Sequence, residues 1–159
     1  MIDKRTIWTN PIHFFASGFG AGSMPFAPGT FGTLMAIPLV LVLSQYSLWI
    51  YAAATILYGI AAVWACDHMA KDWNVSDPAP ATSDEIAGFL IAMFAIPPTL
   101  YSVAVAFVLF RILDIFKPFP ISWLDRNIHG GLGIVLDDWV AGLFTCLLLH
   151  LMAVFFVFS

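Results

Sequence analysis

The chain has 159 residues and a formal net charge of −4; 61% of its residues are hydrophobic and only 10% are charged. Soluble domains carry about 25% charged residues, so this composition excludes an ordinary soluble globule, and it also excludes a disordered chain and a nucleic-acid binder with a basic face. The mean hydropathy of +0.92 instead indicates a small integral membrane protein, which we predict to be a single membrane-embedded domain over residues 1–159.

The charged residues are unevenly distributed along the chain. Asp, Glu, Lys and Arg are absent from residues 6–66, 86–110 and 139–159, and all sixteen lie in the segments between and before these blocks. A charge-free block of about 20 residues is long enough to cross a hydrocarbon core about 30 Å thick. The sequence therefore predicts apolar membrane segments that end in one charged layer.

The first block contains two predicted helices. A Gly- and Pro-rich loop extends to about Thr30, and two apolar runs follow at 31–43 and 48–66. The polar residues 44–47 separate the two runs. We interpret this block as a helical hairpin that enters the membrane and returns.

The second block, 86–110, is interrupted at Pro97-Pro98. The first proline removes a backbone donor, and the second restricts the residue before it, so a helix ends there. We predict a second hairpin rather than one straight helix. The last block, 139–158, has no break and predicts a single C-terminal helix, which makes the predicted fold all-α. The runs 31–43 and 86–96 are short for spans of about 20 residues, so they either penetrate partly or extend into the charged layer.

Two hairpins return every charged segment to the same side of the membrane. All six Lys and Arg residues then share one face, which the positive-inside rule assigns to the cytoplasm. Lys4 and Arg5 are followed by a polar stretch instead of an apolar core, so no cleaved signal peptide is expected. The two cysteines, Cys66 and Cys146, are predicted to be buried structural thiols.

Three of the four histidines are predicted to have no part in the chemistry. His150 falls inside the last apolar run and is predicted to be satisfied within its helix. His13 and His68 are predicted to be peripheral. A catalytic role is therefore considered only for the remaining histidine.

The charged layer is where the chemistry is expected, because ionisable groups near a membrane mark function. Ten carboxylates face six basic residues, so the layer would repel an anionic lipid headgroup unless a cation cancels the charge. Mg²⁺, which prefers hard oxygen ligands, fits this need. Five carboxylates lie at the borders of apolar segments: Asp84, Glu85, Asp114, Asp137 and Asp138.

Each of these carboxylates also has a purely structural interpretation. Thr82 and Glu85 match a capping box, and the last two carboxylates could complement a helix dipole. Asp114 follows Arg111 by three residues on an apolar helix, so the pair shares a face and could be a simple ion pair. The five together favour a metal site.

Two glycine-rich stretches complete the candidate site. Residues 18–32 (GFGAGSMPFAPGTFG) lead into an apolar helix, and backbone amides near Gly29 and Thr30 could approach an anion there. A Pro-terminated surface loop is the alternative. Residues 129–133 (HGGLG) form a second predicted loop, in which His129 could exchange a proton near neutral pH.

Four segments follow one another in an order and spacing that match a known family: residues 18–32, 84–88 (DEIAG), 110–121 (FRILDIFKPFPI) and 125–138 (DRNIHGGLGIVLDD). Through these segments the sequence resembles the phosphatidylglycerophosphatase A family over nearly its whole length. Thr33 and the connector 76–83 are small departures from the family pattern.

The resemblance implies hydrolysis of phosphatidylglycerophosphate to phosphatidylglycerol and phosphate, dependent on Mg²⁺, by a multi-pass protein of the bacterial inner membrane whose active site faces the cytoplasm. On this basis the predicted metal ligands are Glu85, Asp114 and Asp138. The predicted catalytic residues are His129, Asp84 and Asp137. The predicted substrate-binding residues are Arg111, Lys117, Arg126, Thr30 and Gly29.

Two alternatives remain open at this stage. The nucleophile could be a water molecule activated by the metal and one carboxylate, or an aspartate that forms a phosphorylated intermediate. A cation-coupled transporter or channel could use the same carboxylates, although a translocation path needs polar groups at the bilayer midplane. The apolar runs offer only His150 and scattered Ser or Thr residues there.

Overall fold

The computed structural model describes the backbone of residues 4–157 and the side chains of residues 4–154. All regular secondary structure in these residues is helical, which confirms the predicted all-α class. A 3₁₀ turn at Ala21–Ser23 precedes the third helix. The helices are α1 (Thr6–Thr9), α2 (Pro11–Ala16), α3 (Pro28–Leu43), α4 (Leu48–Trp73), α5 (Ser83–Ala92), α6 (Leu100–Phe116), α7 (Ile121–Asn127) and α8 (Gly130–Val157).

Both predicted helix breaks are present. Residues 44–47 separate α3 from α4, and residues 93–99, which contain Pro97-Pro98, separate α5 from α6. One straight helix through 86–110 is therefore excluded. Because Thr99 caps α6 by accepting a hydrogen bond from the Ser102 amide at 3.1 Å, the second helix of this block begins immediately after the prolines.

Among α3, α4, α5 and α6, the shortest helix is α5, and it is also the most buried. It packs against α8, α3 and α4, and eight of its ten residues are buried. At 1.5 Å per residue it is about 15 Å long, about half the thickness of a hydrocarbon core. Glycines allow its contact with α8, since a Cβ on Gly142 would lie 2.2 Å from the Gly88 carbonyl oxygen. The charged start of α5 is therefore held directly beside α8.

The last helix begins earlier than the sequence predicts. It starts at Gly130, nine residues before the predicted start at Trp139. The predictions that residues 129–133 form a loop and that Asp137-Asp138 begin the helix are therefore wrong. Both aspartates lie two turns inside α8, so they do not complement the dipole at its first turn.

Contacts between distant segments explain the early start of α8. The Asp67 carboxylate on α4 accepts a hydrogen bond from the Gly131 amide at 3.0 Å, which satisfies one of the free donors of the first turn. A Cβ on Gly131 would lie 2.2 Å from the Val63 carbonyl oxygen. Glycine here therefore permits the close approach of α8 to α4 instead of breaking the helix.

Two of the helices are long and apolar enough to cross a membrane. They are α4 (Leu48–Trp73) and the Gly130–Val154 part of α8, and α3 is a shorter apolar helix. Large apolar side chains face outward from both, among them Trp49 and Leu57 on α4 and Leu147 on α8. These exposed surfaces agree with the membrane character that the composition predicts.

The predictions for the histidines and cysteines outside the site are confirmed only in part. His13 is buried, not peripheral, because α2 packs against the end of α4; its ring nitrogens lie 2.8 Å from the Thr6 hydroxyl and 2.9 Å from the Asp72 carboxylate. Cys66 is buried as predicted, while Cys146 is half-buried. His150 is satisfied within α8, 2.8 Å from the Cys146 carbonyl oxygen.

Candidate active site

Most of the predicted site residues line one cavity of about 350 Å³ at the charged end of the helices. The start of α5, the end of α6, the α7–α8 junction and the connector before α5 form its walls. Seven predicted residues line it: Asp84, Glu85, Asp114, Lys117, His129, Asp137 and Asp138. The charged layer inferred from the sequence is thus concentrated around a single opening.

Three carboxylates form the inner part of the cavity. One oxygen from each of Asp84, Glu85 and Asp138 lies within 4.8 Å of the other two. Asp84 and Asp138 are buried, and Glu85 is half-buried. Glu85 Oε2 and Asp138 Oδ1 are shielded from solvent and have no hydrogen-bond partner among the described residues.

The start of α5 is fixed by contacts with α2 and α4. The Thr82 amide donates to the Ala16 carbonyl at 2.9 Å, and the Ser83 hydroxyl donates to the Phe15 carbonyl at 2.7 Å. The Tyr58 hydroxyl lies 2.9 Å from the Ser83 hydroxyl. The N-terminal helices therefore determine where Asp84 and Glu85 lie, and no sequence pattern predicts these contacts.

The capping-box interpretation of this helix start is wrong. Thr82 occupies the N-cap position, but its side chain makes no capping hydrogen bond. Instead the Glu85 amide donates to Asp84 Oδ1 at 3.0 Å, and the Glu85 carboxylate lies beside those of Asp84 and Asp138. The two acids are consequently available for chemistry.

Arg111 links α6 to the three inner carboxylates through Glu85. Its Nη1 atom lies 2.5 Å from Asp114 Oδ2, as the three-residue spacing predicts, and 3.9 Å from Glu85 Oε1. All three side chains are largely shielded from water. A Cβ on Gly29, in the first turn of α3, would lie 2.2 Å from Glu85 Oε1 and 3.0 Å from both terminal guanidinium nitrogens.

Lys117 forms the outer edge of the site. Its ammonium group donates to Asp125 Oδ1 at 2.5 Å and to Asp137 Oδ2 at 2.6 Å, which joins the end of α6 to α7 and α8. These hydrogen bonds raise the pKa of Lys117 despite its partial burial. The lysine therefore stays positively charged next to the cavity.

Burial and mutual repulsion oppose ionisation of the α5 carboxylates. Burial, with Glu85 as a close neighbour, raises the pKa of Asp84 well above its usual range. Burial also raises the pKa of Glu85 to about 7, with Asp114 adding to the effect and Arg111 opposing it. A positive charge placed between these groups would favour their ionised forms.

Comparison with known proteins identifies the family. The sequence profile of the family "Phosphatidylglycerophosphatase A" matches residues 14–153, which is most of the chain. The chain belongs to this family. It is therefore a phosphatase, and the resemblance drawn from the four sequence segments is confirmed.

Individual relatives extend over nearly the same length. The phosphatidylglycerophosphatase A of Escherichia coli (strain K12) is 41% identical over 92% of this chain and 86% of the relative. That of Haemophilus influenzae is 37% identical over 89% of this chain and 88% of the relative. A putative phosphatidylinositol-3-phosphatase of Bacteroides thetaiotaomicron is 38% identical, over 84% and 87%. No solved structure matches this chain. The matches do not support the transporter alternative.

The three carboxylates of Asp84, Glu85 and Asp138 fit a divalent cation in a phosphatase of this family. Three anionic oxygens converge within 4.8 Å, which is the hard-oxygen donor set that Mg²⁺ prefers. The partnerless buried oxygens of Glu85 and Asp138 need a donor or a cation. The predicted ligands Glu85 and Asp138 therefore lie together with Asp84, whereas Asp114 lies beside them and is linked to Glu85 through the Arg111 guanidinium.

Two of the predicted substrate-binding residues are poorly placed to bind a phosphate group in the cavity. Arg126 is exposed on α7 and does not line the cavity. Thr30 is half-buried in the first turn of α3, but its amide already donates to the Ala27 carbonyl at 3.0 Å. An anion could therefore be bound only by the Thr30 hydroxyl, not by that amide.

Sequence reasoning missed several residues around the cavity. Asp77 and Ser76 line it from the connector 76–83, in which the sequence predicts no site residue before Asp84. Asp125 lies inside a family segment but was given no role, although it holds Lys117. No sequence pattern links Asp125 to Lys117, which lies eight residues earlier.

Gly29→Ala provides a test of this geometry. Alanine favours helix over glycine, so the backbone of α3 is expected to accept the variant. Its Cβ, however, must displace Glu85 or Arg111. Since a misplacement of about 1 Å can cost about 100-fold in rate, we expect kcat/KM for phosphate release to fall by about that factor. Leu34→Ala, an exposed position on the same helix, is the control; equal activity of both variants would contradict the contact.

Proposed function

We propose that this protein hydrolyses the terminal phosphate monoester of phosphatidylglycerophosphate to give phosphatidylglycerol and phosphate, and that the reaction depends on Mg²⁺. The observation that carries the proposal is the convergence of Asp84, Glu85 and Asp138 in a chain of this family. Two relatives bear the name of this activity. The net negative cavity could not otherwise accept an anionic substrate without strong repulsion.

The cation would be held by Asp84, Glu85 and Asp138, with Asp114 as an adjacent ligand. When bound, it would supply positive charge to the phosphoryl oxygens and lower the pKa of a nearby water molecule. Arg111 and Lys117 would bind the remaining phosphate oxygens, since Lys117 lines the cavity and Arg111 contacts the cavity-lining Asp114. Arg111 suits bidentate contact, whereas Lys117 acts as a point charge.

The chain's own side chains would carry the proton movements. Water attacks phosphorus while Asp84 accepts its proton, and the bond from phosphorus to the glycerol oxygen breaks. His129, exposed at the cavity edge, would protonate the departing oxygen. Asp137 would keep Lys117 in place through their 2.6 Å contact. Acid-quenched protein that retains phosphate label would contradict direct attack by water and favour an aspartyl-phosphate intermediate.

We further propose that the protein is a multi-pass protein of the bacterial inner membrane with this cavity at the cytoplasmic face. α4 and α8 would cross the bilayer, and both bring a charged end to the cavity side. Most of the Lys and Arg residues that the positive-inside rule counts lie in segments at this end of the helices.

Phosphate release from a panel of lipid phosphates tests the proposed function. The panel is phosphatidylglycerophosphate, phosphatidic acid and phosphatidylinositol 3-phosphate, each assayed with chelator and again with Mg²⁺ restored. We expect fastest release from phosphatidylglycerophosphate, loss of release with chelator and recovery with Mg²⁺. Release that resists chelation would contradict the metal. Release only from the inositol lipid, the substrate class named for one relative, would contradict the substrate.

A further inference from the structure

A group of large exposed side chains lies where α6 ends and α7 follows. Phe116 is 78% exposed, Phe119 is 82% exposed and Trp123 is 53% exposed. We refer to residues 115–126 as the α6–α7 corner. Aromatic side chains of this size are normally buried in a soluble domain, so their exposure beside a polar cavity needs a partner.

The corner continues an exposed apolar stripe on α6. Val108, Ile112 and Ile115 are exposed at spacings of three and four residues, so they share one face of the helix. The stripe extends about 12 Å along α6 from Val108 to Phe116 and then meets the cavity-lining Lys117. The same surface therefore changes from apolar to charged at the level of the cavity.

The corner combines aromatic and cationic groups. Arg126 follows Trp123 by three residues on α7, and both are exposed. Among the described side chains no carboxylate pairs with Arg126, whereas Lys117 is already held by two. Tryptophan and arginine at the border of an apolar face are typical of segments at the lipid headgroup level.

We propose that the α6–α7 corner lies in the headgroup region of an anionic phospholipid leaflet and that lipid substrates enter the cavity from this side. This inference rests on the proposed function, because it requires a lipid phosphate as substrate. It assigns Arg126 to lipid headgroups outside the cavity, and it gives Phe119 and Trp123 a role as interfacial anchors.

The corner and the cavity share residues. Lys117 and Asp125 line the cavity and belong to the corner itself. On α8, Asp137 lines the cavity, while Phe144, two turns further along nearly the same face, is exposed. A lipid whose acyl chains lie against the exposed faces of α6 and α8 could therefore present its phosphate to Lys117 without leaving the leaflet.

Fluorescence quenching of Trp123 tests where the corner lies. The protein is reconstituted in vesicles containing phosphatidylglycerol. The fluorescence of Trp123 is taken as the difference between the wild type and Trp123→Phe, and its quenching is measured with brominated lipids and, separately, with iodide on both sides of the membrane. We expect this component to be quenched by lipids brominated in the upper acyl chain and to resist iodide. Quenching by iodide alone would place the corner in water, and quenching by neither would show that protein, such as a second copy, covers it; either result overturns the proposal.

Kinetics with two substrates test the entry route. In the Phe119→Ala/Trp123→Ala double variant, we expect KM for phosphatidylglycerophosphate in vesicles to rise about tenfold, equal to about 1.4 kcal/mol of lost binding. Turnover of the water-soluble deacylated substrate should stay within about twofold of the wild type. Trp49→Ala, an exposed tryptophan at the far end of α4, is the matched control.

The outcomes separate the two proposals. Equal KM values in the double variant and the wild type overturn lipid entry at the corner while the proposed function stands. If the wild type releases no phosphate from the lipid, the proposed function fails, and the fluorescence result alone decides the position of the corner. Loss of deacylated-substrate turnover in the double variant would show damage to the cavity and also overturn the interfacial role.

Discussion

Asp138→Asn is expected to lower kcat for phosphate release by about a thousandfold, which corresponds to about 4 kcal/mol of transition-state stabilisation. Asparagine keeps the volume of the side chain but removes one of the three converging anionic oxygens. Asp138 is almost fully buried on α8, and its Oδ1 atom has no hydrogen-bond partner among the described residues. The rate is measured with saturating phosphatidylglycerophosphate and Mg²⁺.

The same variant should be more stable than the wild type when chelator is present. Removing one negative charge relieves repulsion among Asp84, Glu85 and Asp138, so the melting temperature should rise without metal. Added Mg²⁺ should then raise the melting temperature of the wild type by more than that of the variant, because stabilisation of the folded state grows with ligand affinity.

Asp72→Asn is the matched control, since Asp72 is an exposed carboxylate outside the cavity that contacts His13. We expect it to keep nearly normal kcat and a normal response to Mg²⁺. If Asp138→Asn loses stability in chelator and keeps its Mg²⁺ response, Asp138 has a structural role and the assignment is wrong.

Arg111→Gln is expected to reduce both stability and activity. It leaves Asp114 and Glu85 without their cationic neighbour at 2.5 and 3.9 Å, and an unpaired buried charge costs about 3 kcal/mol in the free energy of unfolding. It also removes the guanidinium group that would bind phosphate, so we expect kcat/KM to fall by about a thousandfold. Denaturation with and without Mg²⁺ and phosphate-release kinetics measure the two effects.

Arg111→Lys separates the structural role of this side chain from its role in catalysis. Lysine keeps the positive charge near Asp114, so most of the stability should return, but it lacks the planar fork for two phosphate oxygens, so most of the activity should not. Full recovery of activity would show that only the charge matters. Lys71→Gln, which breaks an exposed pair with Asp67, is the control and should change neither quantity appreciably.

Local patterns predicted the helix breaks and part of the site. The polar residues 44–47 and the pair Pro97-Pro98 end helices through backbone chemistry, which does not depend on the rest of the fold. The Arg111–Asp114 pair also follows from spacing on one helix. The acid excess of the charged segments indicated a cluster, and the structure brings the carboxylates to one cavity.

The features that were missed depend on contacts between distant residues. The glycines at 130–133 look like a loop, but Asp67, 64 residues earlier than Gly131, accepts its amide and lets α8 start there. His13 is buried where α2 packs on α4, and its ring contacts Asp72, which is 59 residues away. No pattern within a short window specifies such pairings, so neither the start of α8 nor the anchoring of α5 by Phe15 could be predicted.

Asp84, Glu85 and Asp138 are proposed to hold a divalent cation. Titration of Mn²⁺ into chelator-treated protein, with the free ion followed by electron paramagnetic resonance, tests it without relying on turnover. We predict that the wild type binds Mn²⁺, that excess Mg²⁺ displaces it, and that Asp138→Asn binds at least about tenfold more weakly while Asp72→Asn binds normally. Equal Mn²⁺ binding by Asp138→Asn and the wild type would contradict the claim.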